Sequence, residues 1–129
     1  MSAVLVDTDV VIEVLRGRDR ALLSRWTALG SGTDAVLYSP VTVAELWHGV
    51  RPAEEALVLQ LLDTIISLPI DAQIGRRAGE YLRRFHKSHG VETSDALIAA
   101  TAAVHSCALW TRNRKHYPMK DCRFFSIAD

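Results

Sequence analysis

Short apolar runs alternate along the chain with longer stretches in which apolar residues return every three or four positions. Val4–Val6 is the first such run and reads as a buried strand. At Asp7 and Thr8 it gives way to a helical pattern reaching Arg16, with a polar residue to cap its start and Gly17 to end it. Leu22, Leu23 and Trp26 place a second helix over Asp19–Leu29, and Gly30-Ser31-Gly32 turns the chain. Ala35–Tyr38 is the second predicted strand. Ser39 then caps a helix that has Pro40 at its first position and runs to Val50. Another helix follows Pro52 and carries Leu57, Leu61 and Leu62. Ile65–Leu68 reads as a third strand, stopped by Pro69, and Asp71 caps a long helix that Gly90 breaks after His89. Ser94 is the expected cap of an alanine-rich helix, DALIAATAAVH, before a fourth strand at Ala108–Thr111 and a fifth at Phe124–Ile127.

Strands that alternate with helices specify an α/β fold in which a mainly parallel sheet of about five strands is covered on both faces. The 129 residues are expected to form one domain, 1–129. In a sheet of this kind ligands gather at the carboxyl ends of the strands. Asp7 ends the first strand. Glu45 lies in the first turns of the helix after the second, amid Val43, Ala44, Leu46 and Trp47, which predict a largely buried helix. Asp95 opens the alanine-rich helix, and Thr111 and Asn113 end the fourth strand. Taken singly, Asp7 and Asp95 read as helix caps that favour the dipole. Three acids at three sheet-end positions read better as a carboxylate cluster, provided that strands one, two and four are neighbours. Asp9 is assigned to the helix N-terminus and not to the cluster.

Clustered carboxylates repel one another unless protons or a cation intervene. Oxygen-only donors suit Mg²⁺ or Mn²⁺ rather than zinc, and such an ion activates water and neutralises charge on phosphorus. Phosphodiester hydrolysis is the chemistry that follows. Net charge does not add to it: with 15 basic and 15 acidic residues the formal charge is +0, so nucleic acid would have to meet local patches. Arg16, Arg18 and Arg20 form one, Arg83, Arg84 and Lys87 a second, and Arg112, Arg114 and Lys115 a third. Cys107 and Cys122 lack metal-binding spacing and read as reduced thiols of a cytosolic protein. No basic leader precedes an apolar stretch, and no apolar run is long enough to span a bilayer.

The stretches LVDTDVVIEVLRG, SPVTVAELWHGV, SDALIAATA and LWTRNRKHYP, in that order, resemble the PIN-domain ribonucleases, and more narrowly the VapC toxins of toxin–antitoxin pairs. The resemblance implies a three-layer α/β/α domain, a Mg²⁺- or Mn²⁺-dependent endoribonuclease, a homodimer, and inhibition by a VapB-type antitoxin in the cytoplasm. By motif position it assigns Asp7, Glu45 and Asp95 to the metal, with Thr111 and Asn113 orienting water or a carboxylate. Arg16, Arg112, Arg114 and Lys115 become candidates for the RNA backbone. The fourth acid of many relatives is absent: Asn113 occupies its place and His116 follows three residues on.

Two other readings compete. VDTDVV also fits the nucleophile motif of haloacid-dehalogenase-type phosphatases, but that scheme needs a later lysine and an acidic pair, and the chain has no Asp-Asp. A non-catalytic or weakly metal-binding module that binds RNA or an antitoxin is the other, kept open by Asn113. A dimer is expected through Trp47, Val50, Leu57, Leu61 and Leu62. The antitoxin tail is expected in a groove between the first helices and the Pro40–Val50 helix, where a basic side chain, Arg above all, would meet Asp7, Glu45 or Asp95.

Overall fold

The computed structural model describes residues 2–126. Strand β1 (Ala3–Val6) leads into α1 (Thr8–Arg16) and α2 (Arg20–Ser31). Strand β2 (Ala35–Tyr38) leads into α3 (Pro40–Gly49), a 3₁₀ turn at Pro52–Glu54 and α4 (Glu55–Leu62). Strand β3 (Ile66–Ser67) precedes α5 (Ala72–His89) and α6 (Thr93–Val104), and β4 (Ala108–Trp110) is followed by a second 3₁₀ turn at Arg114–His116. The strands lie in the order β3-β2-β1-β4, and every pairing is parallel. Strand β1 is therefore central, with β2 and β4 at its sides, the arrangement the carboxylate cluster requires.

Alternation along β1 builds the two faces. Val4 and Val6 point into a core with Val10 and Val11 of α1, Leu22 and Leu29 of α2, Leu46 of α3, and Val58 and Leu62 of α4. Leu5 points the other way, to Leu37, Leu109, Ile74, Ala78 and the alanine-rich face of α6. Helices α1–α4 thus form one layer and α5–α6 the other. Ala96, Ala99 and Ala100 are fully buried, because only small side chains let α6 lie close against its neighbours.

Helix ends follow the sequence closely. Asp7, Asp19, Ser39 and Asp71 cap α1, α2, α3 and α5 through side-chain oxygens. Gly17 (φ 67°) and Gly90 (φ 68°) take the left-handed conformation that ends α1 and α5. Two expectations are corrected. Helix α6 begins two residues earlier than expected, with Glu92 and not Ser94 at the cap position, and the Glu92 N–H donates to Asp95 at 3.3 Å. The fifth strand is a single bridge from Phe124 to Leu109, leaving a sheet of four strands; Ile127 lies outside the described residues. The cause is the shortness of β4. Its Trp110 carbonyl faces β1, accepting from the Asp7 N–H, so only Leu109 offers its N–H and C=O to the outer edge. Arg123 and Phe125 take both groups, at 2.7 and 2.8 Å.

Candidate active site

Asp7 stands where β1 passes into α1, buried at 8% exposure. Its Oδ1 accepts the Thr8 N–H at 2.8 Å. Its Oδ2 accepts two hydroxyls, Thr111 Oγ1 and Tyr117 OH, each at 2.8 Å. A carboxylate oxygen has two lone pairs, so Oδ2 is saturated and one position on Oδ1 stays open. Thr8 donates its only proton to Glu45 Oε1 at 2.7 Å and therefore accepts from Thr42 Oγ1 at 2.9 Å. That chain ties the start of α1 to α3. Asp95, in the first turn of α6, is half-buried, and its Oδ1 lies 3.8 Å from His116 Nδ1. Asn113 Nδ2 donates to His116 Nε2 at 3.1 Å, which leaves the imidazole proton on Nδ1, facing Asp95.

The acids feel one another. Burial pushes the Asp95 carboxyl up, and the charges of Asp7 and Glu45 add to it against the Glu92 N–H and His116. Asp9 is pushed up to about 6, first by burial and then by the charge of Asp7. Burial also drives the Tyr117 phenol well above its ordinary range, with Asp7, Asp95 and Asp9 adding, so it stays a neutral donor. As the side chains stand, no three His, Cys, Asp or Glu among the described residues converge tightly enough to hold an ion. Glu45 is turned to Thr8, and Asp95 to its own helix start. The donors are nonetheless all oxygen, and Asp9 Oδ1 is buried without a hydrogen-bond partner. An all-oxygen, mutually repelling set with an orphaned buried oxygen suits a hard divalent cation.

Asp7, Glu45, Asp95 and Thr111 thus share one end of the sheet as expected. Glu45 is exposed, not buried: of α3 only Thr42 and Leu46 are buried, with Val41 and Val43 partly so, because the helix lies on the sheet by one side. Asn113 gives its side-chain amide to His116 and its backbone N–H to Thr111 Oγ1 at 3.0 Å, and so supports the hydroxyl that holds Asp7. Arg112 is committed elsewhere than expected. Its guanidinium meets Glu13 at 3.1 Å and Asp19 at 3.9 Å, and its N–H donates to Asp9 at 3.1 Å. Arg18 meets the same Glu13, which is 3% exposed. Arg114 stacks over Phe124, 4.8 Å from the ring centre, and Arg16 and Lys115 are exposed. Sequence reading missed Tyr117, Glu13 and the part of Asp9. Asp9 had a signal, since two acids two residues apart at a strand end fall on one helix start; Tyr117 had none.

A groove of about 470 Å³ runs between α1, α3 and α4, lined by Ile12, Leu15, Leu46, Val50, Leu57 and Val58, and Glu45 also lines it. A larger cavity, about 800 Å³, lies between α5 and residues 118–121 and contains none of the clustered acids.

A PIN-domain profile matches residues 4–121. Ribonuclease VapC10 of Mycobacterium tuberculosis H37Rv is 40% identical over 117 residues, 90% of this chain and 86% of that protein. Ribonuclease VapC19 of the same strain is 33% identical over 116 residues, 89% of this chain and 92% of that protein. The crystal structure of FitAcB from Neisseria gonorrhoeae superposes with a TM-score of 0.76 at 27% identity, covering 95% of this chain and 96% of that one. VapBC2 from Rickettsia felis, bound to a promoter DNA fragment, superposes with a TM-score of 0.79 at 19% identity, covering 95% and 97%, a likeness of fold. The chain belongs to the PIN-domain family, among its VapC members. That membership sets the phosphatase alternative aside.

Proposed function

We propose that the protein is a divalent-metal-dependent endoribonuclease, the toxin of a VapBC-type pair, acting in the cytoplasm on an RNA phosphodiester. The observation that carries the reading is the state of Asp7. It is buried at the end of the central strand, one oxygen filled by two hydroxyls and the other still open, and its charge reaches Asp9, Asp95 and Tyr117. Asp7 and Asp95 would hold Mg²⁺ or Mn²⁺, with Glu45 reaching it directly or through water once turned from Thr8. Bound there, the ion supplies a water that ionises at neutral pH and a counter-charge for the phosphate. Thr111 and Tyr117 fix the Asp7 carboxylate in place. His116, protonated on the nitrogen that faces Asp95, steadies that carboxylate, and Asn113 sets the tautomer. Water adds to phosphorus, the P–O3′ bond breaks, and a 5′-phosphate and a 3′-hydroxyl result. Arg16, Arg114 and Lys115 are exposed to take RNA phosphates, which gives position and no sequence.

The groove beside Glu45 fits the antitoxin. Its apolar walls suit the face of an amphipathic helix, and Glu45 within it offers an anionic end for a basic side chain. Trp47 (42% exposed) and Leu57 (53% exposed) suit the expected homodimer, whereas Leu62 is a core residue and leaves that surface. Among the described residues no helix is long and apolar enough to cross a membrane.

The test is cleavage of total RNA with Mg²⁺ or Mn²⁺, with EDTA, and with Asp7→Asn. Cleavage that EDTA and Asp7→Asn both abolish is the expected result. Cleavage that survives EDTA overturns the metal, and a metal-loaded wild type that cuts nothing reduces the protein to a binding module.

A further inference from the structure

Asp9 is the second carboxylate of α1, two residues beyond Asp7. Helix geometry separates side chains at that spacing by about 200°, so an acid there ordinarily faces solvent. Here the loop after β4 folds over it. Thr111 Oγ1 stands between the two acids, 2.8 Å from Asp7 Oδ2 and 3.5 Å from Asp9 Oδ2. The Arg112 N–H donates to the same Asp9 oxygen at 3.1 Å. The other oxygen, Oδ1, is the one buried side-chain polar atom among the described residues with no hydrogen-bond partner. A mere helix-start acid needs no buried oxygen left empty, because its charge acts on the dipole from solvent as well. Position 113, meanwhile, offers no charge, and its amide is spent on His116.

We propose that Asp9 supplies the fourth carboxylate of the metal centre, in place of the acid that position 113 lacks. The proposal rests on the metal-dependent reading above. Asp7 and Asp9, on either side of the Thr111 hydroxyl, form one anionic wall of the site, with Asp95 and Glu45 as the other. The family pattern of a strand-end acid plus a late acid is thereby met from a single helix start.

Calorimetric titration of EDTA-stripped protein with Mn²⁺ tests this without reference to activity. Asp9→Asn keeps an acceptor for the Arg112 N–H and removes only the charge, so the loop stays docked. Expected is Mn²⁺ binding to wild type and a loss of affinity of about a hundredfold or more in Asp9→Asn, above the roughly 10–100-fold lost when only a partner of a metal ligand is removed. The Mn²⁺-induced rise in Tm should shrink in parallel, which gives a second readout on folded protein. Asp9→Asn with Asn113→Asp should recover the lost affinity. Equal Mn²⁺ affinity in wild type and Asp9→Asn overturns the proposal and leaves the metal reading intact. Absence of Mn²⁺ binding to wild type overturns both. If Asp9→Asn weakens binding but Asn113→Asp restores none of it, Asp9 does not stand in for position 113.

Discussion

Tyr117→Phe removes one hydroxyl and nothing else, from a residue 2% exposed. The hydroxyl donates to Asp7 Oδ2 at 2.8 Å, where Thr111 donates as well. A hydrogen bond to a charged group contributes about 1.5–3 kcal/mol, against about 0.5–1.5 for a neutral pair. Because Thr111 remains, the lower half of the charged range applies, and the variant should lose about 1.5–2 kcal/mol. For a domain of this size that is a fall in Tm of about 5–8 °C. Urea unfolding in EDTA measures it without contribution from bound metal. The decisive measurement is the cycle with Asp7→Asn. With a neutral amide at position 7, the same Tyr→Phe change should cost about 1 kcal/mol less, since the bond lost is no longer charge-assisted. A Tyr117→Phe variant within about 0.5 kcal/mol of wild type would refute the reasoning. So would an equal cost in both backgrounds, which would make Tyr117 a packing residue indifferent to the Asp7 charge.

Glu13→Gln should cost about 1–2 kcal/mol by urea unfolding, because it strips charge from two guanidinium contacts; both arginine side chains are exposed, 67% for Arg18 and 45% for Arg112, and can rehydrate, which keeps the cost below that of a fully buried pair. An unchanged midpoint would show that Glu13 is a spacer and Arg112 needs no anchor. Burial, with Asp121 and Asp7 adding, pushes the Cys122 thiol from 9.0 up to about 11, and burial raises Cys107 too. The folded state therefore keeps the Cys122 proton longer than the unfolded chain, so its share of stability falls as pH climbs from about 9 to about 11. At pH 8 about one Cys122 in a thousand is thiolate, and mass spectrometry should find both cysteines unlabelled by iodoacetamide until guanidinium is added; rapid native labelling contradicts the burial. Leu57→Asp, at a residue 53% exposed, should convert the expected dimer to a folded monomer by light scattering and circular dichroism. A variant that stays dimeric places the interface elsewhere.

The fold was legible wherever local chemistry and global packing agreed. Strand-to-helix alternation, the Ser39-Pro40 start and the two left-handed glycines each have a local cause, and each stands where the pattern put it. The fifth strand failed because its length depends on β4, whose three residues expose one outward pair of backbone groups; no property of Phe124–Ile127 reveals that. The site divides in the same way. Asp7, Glu45 and Asp95 announce themselves as acids where a parallel sheet gathers ligands, so sequence alone can nominate them. Their partners are long-range: Tyr117 reaches Asp7 across 110 residues and Arg112 reaches Glu13 across 99. An arginine in a basic run looks identical in sequence whether it is free for phosphate or bound to a buried glutamate.

Asp9 shows why the local rule was insufficient rather than wrong. An acid in the first turn does favour the helix dipole, and that explanation suffices as long as the carboxylate stays in water. The fold removes that condition by laying Thr111 and Arg112 over it. Once desolvated beside Asp7, the same group opposes its own charge and is pushed up to about 6. The dipole contribution is typically a few tenths of a kcal/mol to about 1. A desolvated, like-charged carboxylate costs more than that, so capping alone does not account for its position. The Arg112 guanidinium and the N–H groups of Arg112 and Val10 offset part of that cost, and the metal titration of Asp9→Asn tests whether a bound cation offsets the rest.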